Sequence, residues 1–230
     1  RHLVVMRSRQ REQDGVAISE SVSVPIAEIG LKPKTLDKIS RYLDVTRSAL
    51  LFGNRAILVE GIAEALLLPV LAQKLVLTDD LDGWLRFKGA VIVPIEGVDF
   101  RPYVEVLLRP YGDARIADRL IVITDADPTV LGNRKVDLDN LAATHGAPDA
   151  LIVLTNQHTL EHEIFSAGNE SFLKSVFLRL HRNSRRDWEA QIEGIPEQDR
   201  PNAFLKLIEA KKTRKGDLAQ AIASRIEAGE

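Results

Sequence analysis

Carboxylate side chains follow three of the apolar runs that the sequence predicts to be buried β-strands. Six acids stand close behind these predicted strand ends and are candidates for chemistry: Glu60, Glu64, Asp125, Asp127, Glu161 and Glu163. In a parallel α/β sheet, ligands bind outside the carboxyl ends of the strands. We therefore expect the three acidic segments to converge on one edge of a sheet.

The spacing within the first two segments suits a shared site. Glu60 and Glu64 are four residues apart, so one helical turn can bring both carboxylates to the same face. Gly61 would let the backbone turn sharply between the strand and that helix. Asp125 and Asp127 are two residues apart, which directs both side chains the same way from an extended segment. Each pair can thus present two carboxylates to one point.

A divalent cation would resolve the repulsion among these acids. Like charges in one pocket cannot all stay ionised without compensation. Mg²⁺ prefers oxygen ligands, taken from carboxylates, water and phosphate. We therefore expect Mg²⁺ or Mn²⁺ at this edge. His158 and His162 flank the third acidic segment four residues apart, but an oxygen-rich site favours carboxylate ligands over imidazole.

Each acidic motif also has an ordinary structural interpretation. Asp125 or Asp127 could be a helix N-cap, and Glu60 could be a solvated loop acid. Glu161 and Glu163 could simply favour the N-terminus of a helix. The coincidence of three acidic strand ends at one expected edge is what favours a functional site.

At these residues the chain resembles the Toprim fold, which has a Glu after its first strand and an Asp-x-Asp after a later one. The resemblance covers roughly residues 51–166. Residues 58–64, 122–127 and 159–163 are more specific, and resemble the Toprim half of the OLD (overcoming lysogenization defect) nucleases. The resemblance implies that the six acids divide between two metal sites, with Glu60 and Asp125 also taking part in catalysis. Two metal ions would stabilise the attacking and leaving oxygens of phosphodiester hydrolysis.

The same resemblance assigns roles to the two ends of the chain. In the helical lobe of OLD nucleases a Lys in a lysine-glycine segment assists catalysis, and Lys215 with Gly216 matches that segment. Lys215 would neutralise charge that develops on the phosphate. Spacing alone also allows Lys215 to be a solvated lysine. The family further implies an N-terminal ABC-type ATPase, to which the opening segment of this chain would connect.

Two basic clusters lie near the C-terminus. Residues 170–230 carry a net charge of +2, whereas the whole chain carries −2. No global field therefore attracts DNA, and affinity must come from local patches or bound metal. The candidates for DNA contact are Arg179, Arg182, Arg186, Lys211 and Lys212. Helical spacing predicts that the three arginines share one face.

The elements that must position these residues predict three consecutive domains. Between residues 51 and 168, four apolar runs alternate with helical patterns, which predicts a Toprim-like α/β domain with a parallel sheet flanked by helices. Residues 1–50 predict an N-terminal β-hairpin and a linking helix. Residues 169–230 hold only helical patterns and predict a C-terminal helical lobe. With 230 residues, 45% of them hydrophobic, the chain can bury a substantial core.

Composition excludes several classes of protein. The absence of cysteine excludes disulfides, thiolate zinc sites and a Cys nucleophile, and fits a cytoplasmic location. No apolar run approaches the roughly 20 residues needed to span a membrane, and no signal peptide is visible. Because the chain begins with Arg1, we expect a fragment of a longer protein, whose missing part could form an oligomer.

Two other functions remain open. Residues 125–130 resemble the aspartyl nucleophile loop of haloacid-dehalogenase-like phosphohydrolases, in which Asp125 would form an acyl-phosphate. In that family the motif follows the first strand, whereas two α/β units precede it here. The chain could also be a non-catalytic docking module of an ATPase, using residues 1–51. A topoisomerase is disfavoured, because the three tyrosines lie in predicted helices, and no motif for reading bases is recognisable.

Overall fold

A two-stranded antiparallel ribbon opens the chain. In the computed structural model, which describes residues 3–42, 47–126 and 133–229, β1 (Val4–Gln13) pairs with β2 (Val16–Pro25). Asp14 and Gly15 connect them with φ angles of 53° and 76°. Two consecutive positive φ values characterise the type I′ turn, which suits an Asp-Gly pair. The predicted hairpin is confirmed, with a turn of only two residues between its ten-residue strands.

A four-stranded sheet lies at the centre of the predicted Toprim domain. The strands are β3 (Arg55–Val59), β4 (Val91–Pro94), β5 (Arg119–Asp125) and β6 (Leu151–Asn156), in the order β4-β3-β5-β6. β3 pairs in parallel with both β4 and β5. Four consecutive residues of β3 are buried, as expected of a strand covered on both faces. The predicted parallel sheet is confirmed.

Helices connect these strands. After α1 (Pro33–Tyr42) and a 3₁₀ turn (Arg47–Leu51), the chain forms α2 (Ile62–Leu71), α3 (Leu81–Lys88), α4 (Arg101–Leu108), α5 (Arg134–Thr144) and α6 (Leu160–Ser166). Pro69 lies inside α2, where it removes a backbone donor, and α2 continues as a π-helical turn at Ala72–Val76. Sequence periodicity did not predict α3.

The C-terminal residues form the predicted helical segments. They are α7 (Glu170–Leu180), α8 (Arg185–Trp188) with a π-helical turn (Glu189–Glu193), α9 (Arg200–Ala210) and α10 (Lys215–Glu227). Trp188 is fully buried at the centre of an aromatic cluster with Phe165, Phe177 and Phe204. The ring centroids lie 5.5 to 6.3 Å from that of Trp188, the range in which aromatic pairs attract.

The described residues divide into two compact units. The first draws on Arg1–Val59, Gly89–Thr124 and Thr129–Leu154, and the second on Glu60–Lys88, Asp125–Pro128 and Thr155–Glu230. Each has its own apolar core. The core of the second unit includes residues of α2 together with those of α6, α7, α9 and α10. The three consecutive domains named above stay a prediction. No helix among the described residues has the length and apolarity to cross a membrane.

Candidate functional site

Glu60 and Asp125 meet through a hydrogen bond to the backbone. Glu60 directly follows β3, and Asp125 is the last residue of the neighbouring strand β5. The parallel register pairs Val59 with Ile123, so Glu60 comes close to Thr124 and Asp125 at the end of β5. The N–H of Asp125 donates to Oε1 of Glu60 at 2.9 Å. The structure therefore brings two of the six acids together.

Asn156 holds Asp125 from the other side. Its side-chain amide donates to Oδ1 of Asp125 at 3.4 Å, and its carbonyl accepts the N–H of Ala126 at 2.7 Å. Burial raises the pKa of Asp125 above its ordinary value, and the charge of Glu60 raises it further. The amide of Asn156 and the charge of Lys215 oppose that shift. Sequence reasoning missed Asn156, although a polar residue ending a predicted strand was an available signal.

Glu64 folds back onto the start of its own helix. The N–H of Gly61 donates to Oε2 of Glu64 at 3.1 Å, one half of a capping box. Gly61 has a φ of −141°, so the expectation that it supplies unusual backbone freedom is wrong. A Cβ there would lie 3.3 Å from Oε2 of Glu64, and glycine instead leaves room for that carboxylate.

The electrostatics of Glu64 place it near the other acids. Burial raises the pKa of Glu64, and the charges of Glu161 and Asp125 raise it further. Hydrogen bonds from its own N–H and from Gly61 oppose the shift. Like charges close enough to affect each other's protonation form one electrostatic group.

Glu161 is the most deeply buried of these carboxylates. It lies in the first turn of α6 and is 5% exposed. Its Oε2 accepts a hydrogen bond from Nζ of Lys215 at 3.2 Å. Its Oε1 is buried and has no hydrogen-bond partner among the described residues. Leaving such an atom without a partner costs about 1–3 kcal/mol, which a bound cation would offset.

Gly216 helps to place Lys215. Lys215 is the first residue of α10, which packs against α2, and its side chain is 60% exposed. A Cβ on Gly216 would lie 3.2 Å from Cγ2 of Ile62, in the first turn of α2. Glycine therefore lets the two first turns approach each other closely, and Lys215 starts α10 within reach of Glu161.

Glu163 stands apart from the other acids. Two residues along a helix turn a side chain by about 200°, so Glu163 lies on the opposite side of α6 from Glu161. Its Oε1 accepts the N–H of His158 at 3.1 Å. The rings of His158 and His162 pack with centroids 4.0 Å apart, and Nδ1 of His162 is 3.3 Å from Oγ of Ser166. Burial, followed by the charge of His158, lowers the pKa of His162.

The donor set suits a divalent cation but is not a preformed cage. Asp127 lies outside the described residues. Among those that the structure describes, no three acidic or histidine side chains stand close enough to hold a metal ion. The carboxylates do not converge because each accepts a hydrogen bond from a different group. Glu64 accepts one from the N–H of Gly61, Glu60 from the N–H of Asp125, and Glu161 from Lys215. Carboxylate oxygens, one of them buried without a partner, nevertheless match the chemistry of Mg²⁺ or Mn²⁺.

The basic side chains of the lobe do not share one helix face. Arg179 lies in α7, which ends at Leu180, whereas Arg186 lies in α8 and Arg182 between the two helices. The predicted single face is therefore wrong. The chain leaves the helix at His181, whose Nε2 is hydrogen-bonded to Oγ1 of Thr213 at 2.8 Å. All three arginines are exposed.

The two candidate lysines of the second cluster differ from each other. Nζ of Lys211 is 2.5 Å from Oδ2 of Asp187, and this hydrogen bond holds the pKa of Asp187 below its ordinary value. Lys212 is exposed just after α9, with a φ of 54°. Lys211 is therefore partly neutralised within the lobe, whereas Lys212 presents its charge to solvent.

A parallel sheet with acids at the ends of two adjacent strands defines a Toprim-like α/β domain. Residues 51–127 match the family model for the TOPRIM domain of Overcoming lysogenization defect protein-like proteins. The resemblance predicted from the sequence is confirmed over that range.

Two solved structures are similar to this chain. Both are the C-terminal region of the OLD protein of Xanthomonas campestris pv. campestris, phased with platinum in one case and with mercury in the other. The first is 25% identical, covers 75% of this chain and 84% of its own, and superposes with a TM-score of 0.47. The second is 26% identical, covers 75% and 86%, and has the same TM-score. No curated protein matches the chain.

Proposed function

We propose that this chain is the nuclease part of an ATPase-nuclease and hydrolyses DNA phosphodiester bonds as a metal-dependent endonuclease or nickase. The observation that carries the proposal is the state of Glu161, which is buried, lacks a partner on Oε1 among the described residues and holds Lys215 on Oε2. The family match at residues 51–127 supports the same class of site. We assign the catalytic domain to residues 51–168.

The carboxylates would hold the metal. We assign this role to Glu60, Glu64, Asp125, Asp127 and Glu161, and leave out Glu163 because it lies on the opposite side of α6 from Glu161. Two Mg²⁺ or Mn²⁺ ions would supply charge stabilisation for the attacking and leaving oxygens. The raised pKa values of Asp125 and Glu64 fit a site that binds a cation. A bound cation would reduce the repulsion among the neighbouring carboxylates.

Lys215 and Asn156 would act on either side of this cluster. Lys215 donates to Glu161, and its side chain, which is 60% exposed, can turn to a phosphate and stabilise charge that develops there. Asn156 holds the carboxylate of Asp125 and the backbone of Ala126, which fixes the direction in which Asp125 presents its oxygens. Hydrogen bonds of this kind orient metal ligands.

DNA would be held by the lobe and the partner ATPase by the start of the chain. Arg179, Arg182, Arg186 and Lys212 are exposed and can contact phosphates, whereas Lys211 contributes less because of Asp187. We assign ATPase contact to residues 1–50. Both assignments can be tested separately from catalysis, by measuring DNA binding and ATPase binding.

Cleavage of supercoiled plasmid tests the proposal. We expect the purified chain to nick or degrade plasmid with Mg²⁺ or Mn²⁺ and without ATP, and EDTA to abolish this. Glu161→Gln should lose activity, while the matched control Glu163→Gln, two residues away on α6, should retain it. Plasmid that stays intact with both metals, or equal loss in the two variants, would contradict the proposal. An acyl-phosphate trapped on Asp125 would instead establish a phosphohydrolase.

A further inference from the structure

Helix α3 carries an apolar face that nothing in the described chain covers. None of the residues Leu81–Lys88 is buried. Leu81 and Leu85, one helical turn apart, are 69% and 57% exposed. The preceding turn, which contacts α3, adds Leu75 at 62% and Val76 at 72% exposed. Clustered apolar side chains of this exposure mark interaction sites.

Local contacts stabilise helix α3, although none of its residues is buried. Oδ1 of Asp80 accepts the N–H of Gly83 at 2.8 Å and caps the start of the helix. A Cβ on Gly83 would lie 2.3 Å from Oδ2 of Asp80, so glycine keeps this cap in place. Trp84 and Phe87 stack with centroids 6.0 Å apart. A helix this short is marginal in water by itself, so packing of its exposed leucines against a partner would stabilise it.

The two ends of α3 carry opposite charges. Asp82 lies in its first turn, just after Asp79 and Asp80, whereas Arg86 and Lys88 lie in its last turn. Within the described residues, Asp82, Arg86 and Lys88 form no ion pair. This order suits the helix dipole, but the dipole does not account for the exposed leucines between the charges.

We propose that α3 is a self-association surface, on which two copies of this chain pack through antiparallel α3 helices related by a two-fold axis. A two-fold interface requires a patch that is complementary to itself. Reversing one α3 against another sets the acidic end of each copy beside the basic end of its mate. Leu81, Trp84 and Leu85 of both copies then meet in the middle. A partner of a single charge would match only one end of the helix.

Charge exchange between two variants tests this arrangement. The basic variant carries Asp79→Arg and Asp82→Arg, and the acidic variant carries Arg86→Glu and Lys88→Glu. Each alone should self-associate at least about tenfold more weakly than the wild type, because like charges then face each other across the interface. An equimolar mixture should restore association, because opposite charges meet again. Sedimentation velocity over a concentration series, on chains with unchanged circular dichroism, measures the dissociation constants.

Two controls make the test specific. Glu197→Arg reverses an exposed acid in the lobe and should associate as the wild type does. Leu85→Asp removes an exposed apolar side chain without touching either core, and should weaken association even though the charged ends are intact. A wild type that stays monomeric throughout, charge variants that associate normally, or a mixture that fails to restore association would each overturn the proposal.

Discussion

Replacing Lys215 with Ala should separate metal binding from cleavage. In the structure Nζ of Lys215 donates a hydrogen bond to Oε2 of Glu161 at 3.2 Å, while Oε1 of Glu161 has no hydrogen-bond partner among the described residues. Without Lys215, neither oxygen of this carboxylate, which is 5% exposed, has a hydrogen-bond partner among the described residues. An unpartnered buried acceptor costs about 1–3 kcal/mol, and a bound cation would remove that cost. Mn²⁺ affinity should therefore rise, by about tenfold for 1.4 kcal/mol.

The cleavage rate should move in the opposite direction. Removing one preorganised donor to charge that develops in a transition state lowers the rate about 10²–10³-fold. Calorimetry measures Mn²⁺ affinity, and single-turnover cleavage at saturating metal measures the chemical step. Lys206→Ala is the matched control, because Lys206 is an exposed lysine of α9 outside the proposed DNA-binding set and should leave both values near wild type. Cleavage by Lys215→Ala at the wild-type rate would refute the role assigned to Lys215.

Three further expectations follow from the same contacts. Burial and the charge of Glu60 raise the pKa of Asp125 in the folded state, so ionisation of Asp125 destabilises the metal-free fold. The free energy of unfolding is therefore highest below the ordinary pKa of Asp and falls as the pH rises through the raised pKa. Asp125→Asn should therefore have a higher melting temperature than wild type at neutral pH without metal. A pH series of melting curves should show this difference disappear below the ordinary pKa of Asp, and a lower melting temperature of the variant at neutral pH would show that ionised Asp125 does not destabilise the fold. Asn156→Ala should weaken Mn²⁺ binding about 10- to 100-fold by calorimetry, since it removes a hydrogen bond that orients a ligand, and unchanged affinity would exclude that role. Removing Arg182 and Arg186 should reduce the slope of log binding constant against log salt concentration for DNA by about two units. Lys211→Ala should change this slope less, because Lys211 is paired with Asp187, and equal slopes in all variants would show that the two arginines do not contact phosphate.

Strand positions could be predicted from the sequence, and with them the meeting of two acids. The buried run of β3 and the apolar run of β5 were visible as continuous hydrophobic segments, and parallel register then brings Glu60 to the backbone of Asp125. The meeting of Lys215 with Glu161 was not accessible in the same way. It depends on α10 packing against α2 over Gly216, a contact between segments far apart in sequence.

Local hydrogen bonds account for much of what sequence reasoning missed. Helical spacing placed Glu64 on the same face as Glu60, but its carboxylate turns to the N–H of Gly61. Spacing could not show that Glu163 accepts a backbone N–H while Glu161 is buried. The spacing of Arg179, Arg182 and Arg186 predicted one shared helix face, whereas the chain leaves α7 at His181. Side-chain bonds to the backbone compete with regular patterns at helix ends, and periodicity does not detect them.

The most direct test of the proposed site is a crystal of this chain soaked in Mn²⁺ and measured for anomalous scattering. A cation that relieves the unpartnered Oε1 of Glu161 should give a peak about 2.1 Å from that oxygen, with carboxylate oxygens of Asp125 or Glu60 in the same coordination sphere. Glu161→Gln crystals should lack the peak. A wild-type crystal with no anomalous peak beside Glu161, and with Lys215 still bound to its Oε2, would contradict the metal-dependent site proposed for this protein.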